Sequence, residues 1–192
     1  MSRKYVISVM SKDRPGIIAD ITTVIYDLGG DLADLNQSIL GGYFTMILMA
    51  EFDGPVTRKI LLTRFSEIQS ETPVAALIKE VKEVMYGSHG RLPDDTFVVT
   101  AQADNRKGLV KTLGDFFYSR NINVLDLVTA IDKNCYTMIF QVDLSQVDSM
   151  KSLRSELTSL GEREEMELVL QHNDIYMATN EVGTALETII GD

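Results

Sequence analysis

Asp13-Arg14-Pro15-Gly16-Ile17-Ile18-Ala19-Asp20-Ile21-Thr22-Thr23-Val24-Ile25-Tyr26-Asp27-Leu28 reads as a turn that runs into an amphipathic helix. Ile17, Ile18, Ile21, Val24, Ile25 and Leu28 stand at i, i+1, i+4, i+7, i+8 and i+11, one face of a 3.6-residue period. Sliding the chain by 92 positions lays Asn105-Arg106-Lys107-Gly108 on the turn and Leu109, Val110, Leu113, Phe116 and Phe117 on the helical face. The offset needs no gap over about fifty residues. It matches Val6 with Val98, Arg14 with Arg106, Gly16 with Gly108, Tyr26 with Tyr118, Asp34 with Asp126, Leu35 with Leu127, Ile39 with Ile131, and Thr45-Met46-Ile47 with Thr137-Met138-Ile139. These are core and turn positions, so the chain is two tandem copies of one domain.

Outward from the turn, Tyr5 to Met10 is rich in β-branched and aromatic residues and reads as strand one. The helix starts at about Pro15, whose missing N–H is no loss in a first turn, and stops at Gly29-Gly30. Asp31 to Leu40 is strand two, Gly41-Gly42 a two-residue hairpin turn, and Tyr43 to Phe52 strand three, apolar enough to be central. Ile60, Leu61, Phe65 and Ile68 space as a second helix. Val74 to Met85 is read as strand four, although Leu77, Val81 and Val84 also fit a helix. The second copy repeats the order: strand Phe97–Ala103, helix Gly108–Ser119, strand Asn123–Asp132, turn Lys133-Asn134, strand Cys135–Leu144, helix Val147–Leu160 ending at Gly161, and strand Glu165–Gln171. Strand, helix, strand, strand, helix, strand is the ferredoxin-like βαββαβ order. The expected fold is therefore α+β: two four-stranded antiparallel sheets, each with two helices on one face, over residues 1–86 and 96–192, joined by a linker at 87–95. After the last strand Asp174 is placed to cap a helix carrying Ile175, Ala178, Val182, Leu186 and Ile189, a tail expected to dock on something apolar.

A formal net charge of −10 with no basic stripe removes the electrostatic term that direct nucleic-acid binding needs. One cysteine, Cys135, precludes an intramolecular disulfide and fits a reducing compartment. The N-terminus enters a strand pattern with no stretch of signal-peptide length, and no apolar run approaches the ~20 residues of a membrane helix. A cytoplasmic protein without membrane contact is expected. Only two histidines, His89 and His172, accompany that cysteine, so no catalytic group, metal site or cofactor is read from spacing, and no phosphate-binding glycine loop is present. Met46, Met49 and Met138 sit at strand spacing and read as core rather than as an adaptable binding face.

The Asp/Asn-Arg-x-Gly turn between strand one and helix one, with Asp or Asn opening strand two, resembles the ACT domain, a small regulatory module. The tandem form, with Asp13-Arg14-Pro15-Gly16 ahead of Gly41-Gly42-Tyr43-Phe44-Thr45-Met46, is similar to the glycine cleavage system transcriptional repressor family, and Gln171-His172-Asn173-Asp174-Ile175 resembles the end of small single-ACT proteins. The resemblance implies a non-catalytic regulator that binds a small effector, typically an amino acid, where the first loop of one domain faces strand two of a paired domain. Helices on only one face of each sheet leave the other face and the edges to be covered, so domain pairing or a homodimer is expected, and the lack of a basic stripe points to regulation through a protein partner. The positions carried over are Asp13, Arg14, Pro15, Gly16, Ile17, Asp31 and Leu32 in the first copy, and Asn105, Arg106, Gly108, Leu109, Asn123 and Val124 in the second. Free N–H groups at a helix start favour a carboxylate, and glycine there permits close backbone approach. The same residues have simpler readings: Asp13 or Asn105 as helix caps, and Asn123 as a turn residue after Asn121. An enzyme or enzyme subunit whose active site leaves no motif is the alternative.

Two aspartates in the first copy stand where two asparagines stand in the second. Paired carboxylates repel the carboxylate of a zwitterion, whereas amides donate to it and accept from its ammonium. The second copy is therefore the expected amino-acid site, although Lys107 replaces the usual proline there.

Overall fold

A computed structural model describes residues 2–69, 73–82 and 92–180. The chain divides into two compact units, Met1–Gly90 and Arg91–Asp192. The first holds β1 (Arg3–Lys12), α1 (Ile17–Asp27), β2 (Gly30–Leu40), β3 (Tyr43–Phe52), α2 (Arg58–Ser66) and β4 (Ala75–Val81). The second holds β5 (Thr96–Asp104), α3 (Leu109–Tyr118), β6 (Asn123–Asp132), β7 (Cys135–Asp143), α4 (Met150–Glu164), β8 (Glu167–His172) and α5 (Asn173–Asn180). Each forms a four-stranded antiparallel sheet, in the orders β2-β3-β1-β4 and β6-β7-β5-β8. This is the expected α+β ferredoxin-like pair, with β3 inside its sheet as its apolar sequence requires. No helix among the described residues is long and apolar enough to cross a membrane.

The 92-residue offset holds well beyond the stretch that revealed it. Tyr5 pairs with Ala50 and Glu80, and Phe97 with Val142 and His172. Both second strands carry a bulge at the same place, between Leu32 and Asp34 and between Val124 and Asp126. Thr57 and Ser149 cap the second helices alike, each hydroxyl accepting from the N–H three residues on. Where the copies part is helix length: α2 has 9 residues and α4 has 15. Gly161 therefore lies inside α4 instead of ending it, and Glu165, with φ of 50°, makes the left-handed turn into β8. The stretch read as strand four is strand over Ala75–Val81, while residues 83–85 fall outside the described residues. So do His89, most of the linker, and the tail positions Val182, Leu186 and Ile189.

Strand alternation sends Tyr5, Ile7 and Val9 to one side of the first sheet with Phe44, Met46, Leu48, Ala50 and Phe52, where Ile17, Ile21, Val24 and Ile25 of α1 and Leu61 and Phe65 of α2 cover them. The second sheet repeats this with Val99, Ala101, Met138, Phe140 and Val142 under Leu109, Leu113, Phe117, Leu153 and Leu157. The helix start differs from expectation. α1 begins at Ile17, so Pro15 stays in the turn, and the N-cap position is Gly16 at φ 86° with no side-chain cap. Gly108 does the same at φ 95°. Asp13 and Asn105 therefore cap neither helix.

The copies solve shared packing problems with different residues. A Cβ on Gly30 would lie 2.4 Å from the Phe52 ring and 2.9 Å from Ile25, whereas the corresponding pair in the second copy is Ile122 with Leu144, both buried. Bulk moved from one position to the other keeps the core filled. The helices are tied by ion pairs of opposite polarity, Arg64 of α2 to Asp27 of α1 at 3.1 Å and Glu156 of α4 to Arg120 beyond α3 at 2.6 Å. The Ser152 hydroxyl and the Arg120 guanidinium hold the Glu156 carboxyl below its ordinary pKa.

Gly30→Ala is expected to cost about 1–3 kcal/mol by overpacking. Phe52→Leu in the same chain should recover part of this, with a coupling of about 0.5–3 kcal/mol in denaturant unfolding. Strict additivity of the two changes would refute the exchange of volume. At the helix starts, Gly16→Ala and Gly108→Ala should each cost about 1–2 kcal/mol, the penalty for an L-residue in the left-handed region. Asp13→Ala should stay within about 0.5 kcal/mol, because no cap is removed; a loss of about 1 kcal/mol would restore its capping role.

Candidate ligand-binding loops

The loop after each first strand is fixed by backbone bonds before any side chain takes part. Asp13 N–H donates to the Gly42 carbonyl at 3.0 Å and Asn105 N–H to that of Asn134 at 2.7 Å, tying the loop to the hairpin turn beside it. The first in-register helical bonds are Asp20 N–H to Gly16 O at 3.0 Å and Thr112 N–H to Gly108 O at 2.8 Å. The N–H groups of Ile18 and Ala19, and of Leu109, Val110 and Lys111, precede those bonds and have no acceptor one helical turn back. With glycine at the N-cap and no side chain over it, this end presents N–H dipoles suited to an anion. Pro15, Gly16 and Gly108 are exposed beside it, while Ile17 and Leu109 are buried and anchor the helix start in the core.

Arg14 and Arg106 hold this loop from behind. Arg14 pairs with Asp20 and donates to the carbonyls of Gln69 and Pro15, each at 3.2 Å. Arg106 donates to the carbonyl of Glu164, the last residue of α4. Each guanidinium thus meets a carbonyl at or just past the C-terminal end of the second helix, where backbone acceptors lack helical partners. The identity of these arginines across the offset has a structural cause.

The second half of the expected site lies elsewhere. Asp31 opens β2 opposite Glu51, and its Oδ1 accepts from Leu32 N–H at 3.0 Å; Asn123 opens β6 opposite Asp143. Asp13 is at the hairpin end of its sheet and Asp31 at the other, most of β2 apart, roughly 30 Å at ~3.4 Å per residue. One unit does not bring its own loop and strand-two start together. Leu32 and Val124 are half-buried at these starts.

The structure adds residues that the sequence reading passed over. Beside Asp31 and Leu32 a shallow groove is closed by Thr22 and Tyr26 of α1. Tyr26 is 80% exposed and its repeat-mate Tyr118 is 87% exposed. Their identity across the offset, at positions turned to solvent, was the available signal. At the second loop an open concavity is lined by Asn105, Arg106, Gly108 and Leu109 with Val110, Ile131 and Tyr136. Tyr136 is half-exposed there, whereas its counterpart Phe44 is buried.

The ACT domain family model matches residues 5–66. A UPF0237 protein of Methanopyrus kandleri is 33% identical over 86 residues, covering 44% of this chain and 96% of that protein. A UPF0237 protein of Methanosarcina mazei is 44% identical over 50 residues, covering 26% of this chain and 54% of its own length. Among solved structures, an unknown protein from Galdieria sulphuraria has the same fold at a TM-score of 0.67 and 16% identity, covering 90% of this chain and 99% of that one. A candidate glycine cleavage system transcriptional repressor superposes at a TM-score of 0.58 and 19% identity, over 89% and 97% of the two chains. Two repeats in one register, each with the arginine-glycine loop leading into an uncapped helix, and a relative matched over nearly its whole length place this chain in the ACT-domain family, as a tandem-repeat relative of the UPF0237 proteins.

Proposed function

We propose that the chain is a non-catalytic regulator that binds a free amino acid where the loop after β1 or β5 of one ACT domain meets the start of β2 or β6 of a paired domain. The observation that carries this reading is the pair of helix starts left without side-chain caps behind left-handed glycines. A cap would have satisfied those N–H groups; its absence leaves them for an exogenous carboxylate. The roughly 30 Å separation of loop and strand-two start within a unit supports pairing of domains, in a homodimer, as the condition for a complete site. Net charge of −10 favours action through a protein partner over direct contact with nucleic acid, in the cytoplasm.

The second repeat is the better amino-acid site. When two second repeats pair, Asn105 of one loop faces Asn123 of the other domain, so amides surround the zwitterion, and Tyr136 offers a phenol at the concavity. The equivalent pairing of first repeats sets Asp13 against Asp31, an arrangement that suits a cationic or amine-rich ligand.

Calorimetry of the full chain against the common amino acids should find a selective ligand. Asn105→Ala and Asn123→Ala should each weaken it about tenfold, as expected for one lost hydrogen bond to a charged group, while Asp13→Ala and Asp31→Ala leave it unchanged. The opposite pattern moves the site to the first repeat. A panel without any binder, together with turnover of a small metabolite, would favour the enzyme reading.

A further inference from the structure

We propose that the effector of the second repeat is an acidic amino acid, selected through its side-chain carboxylate by Lys107 and Lys111. This deepens the proposed function and rests on it: the α-carboxylate and the ammonium are held as described there, and the two lysines read the rest of the ligand.

The charge of the concavity beside the second loop points to this ligand. Among the described residues that line it, Arg106, Lys107 and Lys111 are cationic and none is acidic. Positive charge is thus concentrated at one place on a chain of net charge −10. Arg106 is engaged by the Glu164 carbonyl, which leaves the lysines to meet a ligand. Lys107 is exposed and has no ion-pair partner among the described residues. Lys111 pairs with Asp115 one helical turn on, but the two side chains are 77% and 65% exposed, so the pair is weak and open to exchange. Asp104, the other acid nearest in sequence, accepts from the Asn134 amide at 3.5 Å.

The first repeat shows that the fold does not require these cations. The 92-residue offset sets Pro15 against Lys107, Ala19 against Lys111 and Phe44 against Tyr136. The matching positions there hold one cation, Arg14, and one acid, Asp13, and so carry no net charge. Both helices nevertheless start behind a left-handed glycine with the same backbone bonds, so the lysines are not needed to build the turn.

The lysines bracket the helix start, Lys107 just before Gly108 and Lys111 in the first turn of α3. Val110 and Ile131, 38% and 59% exposed, add apolar surface to the same concavity. The Tyr136 ring packs on the core and its hydroxyl supplies a further donor. An acidic amino acid has the matching parts: a zwitterionic end for the loop, a short methylene chain for the apolar wall, and a second carboxylate for the ammonium groups. Asparagine and glutamine have the same shape without that second charge, which makes them the discriminating controls.

Calorimetry of the full chain with aspartate, glutamate, asparagine and glutamine tests the assignment. One of the acids should bind about tenfold tighter than its own amide, about threefold from each lysine as for solvent-exposed charge pairs. That preference should shrink as salt is added. Lys107→Gln and Lys111→Gln should each cut the acid-to-amide ratio about threefold, whereas Asp115→Asn, which frees Lys111, should raise it. Lys151→Gln, at the opposite end of α4 from Glu164, removes the same charge elsewhere and should leave the ratio unchanged. An amide that binds as well as its acid, or a ratio that neither Lys107→Gln nor Lys111→Gln moves, would overturn the proposal and leave the amino-acid reading standing. Succinate or inorganic phosphate binding as tightly as the acidic amino acids would overturn it in favour of a bare anion. If no amino acid binds, the proposed function falls and this assignment falls with it.

Discussion

The left-handed glycine between the first strand and the first helix is the constraint on which each repeat depends. The chain must leave a central strand, reverse, and lay a helix over the face it has just built, within four residues. Gly16 at φ 86° and Gly108 at φ 95° make that reversal, in a region where a side chain costs about 1–2 kcal/mol. The consequences run outward from this turn. Ile17 and Leu109 enter the core at once, and the central strand and its hairpin neighbour are locked by the bonds from Asp13 to Gly42 and from Asn105 to Asn134. The helix N-terminus is left facing outward with its donors unmet. Fold and candidate site are two results of one backbone conformation.

Much of this was legible because two copies were present. A single βαββαβ pattern is ambiguous at several elements, but a second reading under one offset settles most of them. Val74 onward could be helix or strand until Glu167–Gln171 appeared at the matching place, and the register confirms the match residue by residue. What misled was local chemistry with more than one use. Aspartate before a helix is so often a cap that Asp13 invited that reading, whereas glycine occupies the capping position in the fold. Gly161 looked like a helix stop, yet its lack of a side chain instead lets the Met166 carbonyl approach, where a Cβ would stand 2.7 Å away.

The second strands show how a strand can hide from periodicity. Leu32, Leu35 and Ile39 turn to the helix side although their spacing is three and four, the signature of a helix. The bulge between Leu32 and Asp34 accounts for it by adding one residue and so shifting the alternation by one. Val124, Leu127 and Ile131 repeat the pattern around the matching bulge. The loop and the strand-two start were legible as residue types, but not their separation, because strand length and register decide that.

Arg14 and Arg106 bear on the entropy of recognition. An unrestrained loop gives up about 1–2 kcal/mol of backbone freedom for every residue it must order when a ligand arrives. Here the guanidinium bonds to the carbonyls of Gln69 and Glu164, together with the hairpin bonds, impose that order when the domain folds. An anion bound as proposed at the helix start would meet donors already aimed, and more of its interaction energy would appear as affinity. A change at the far end of α2 or α4 that broke the arginine contact would return the ordering cost to the binding step, weakening recognition without touching a single residue that faces the ligand.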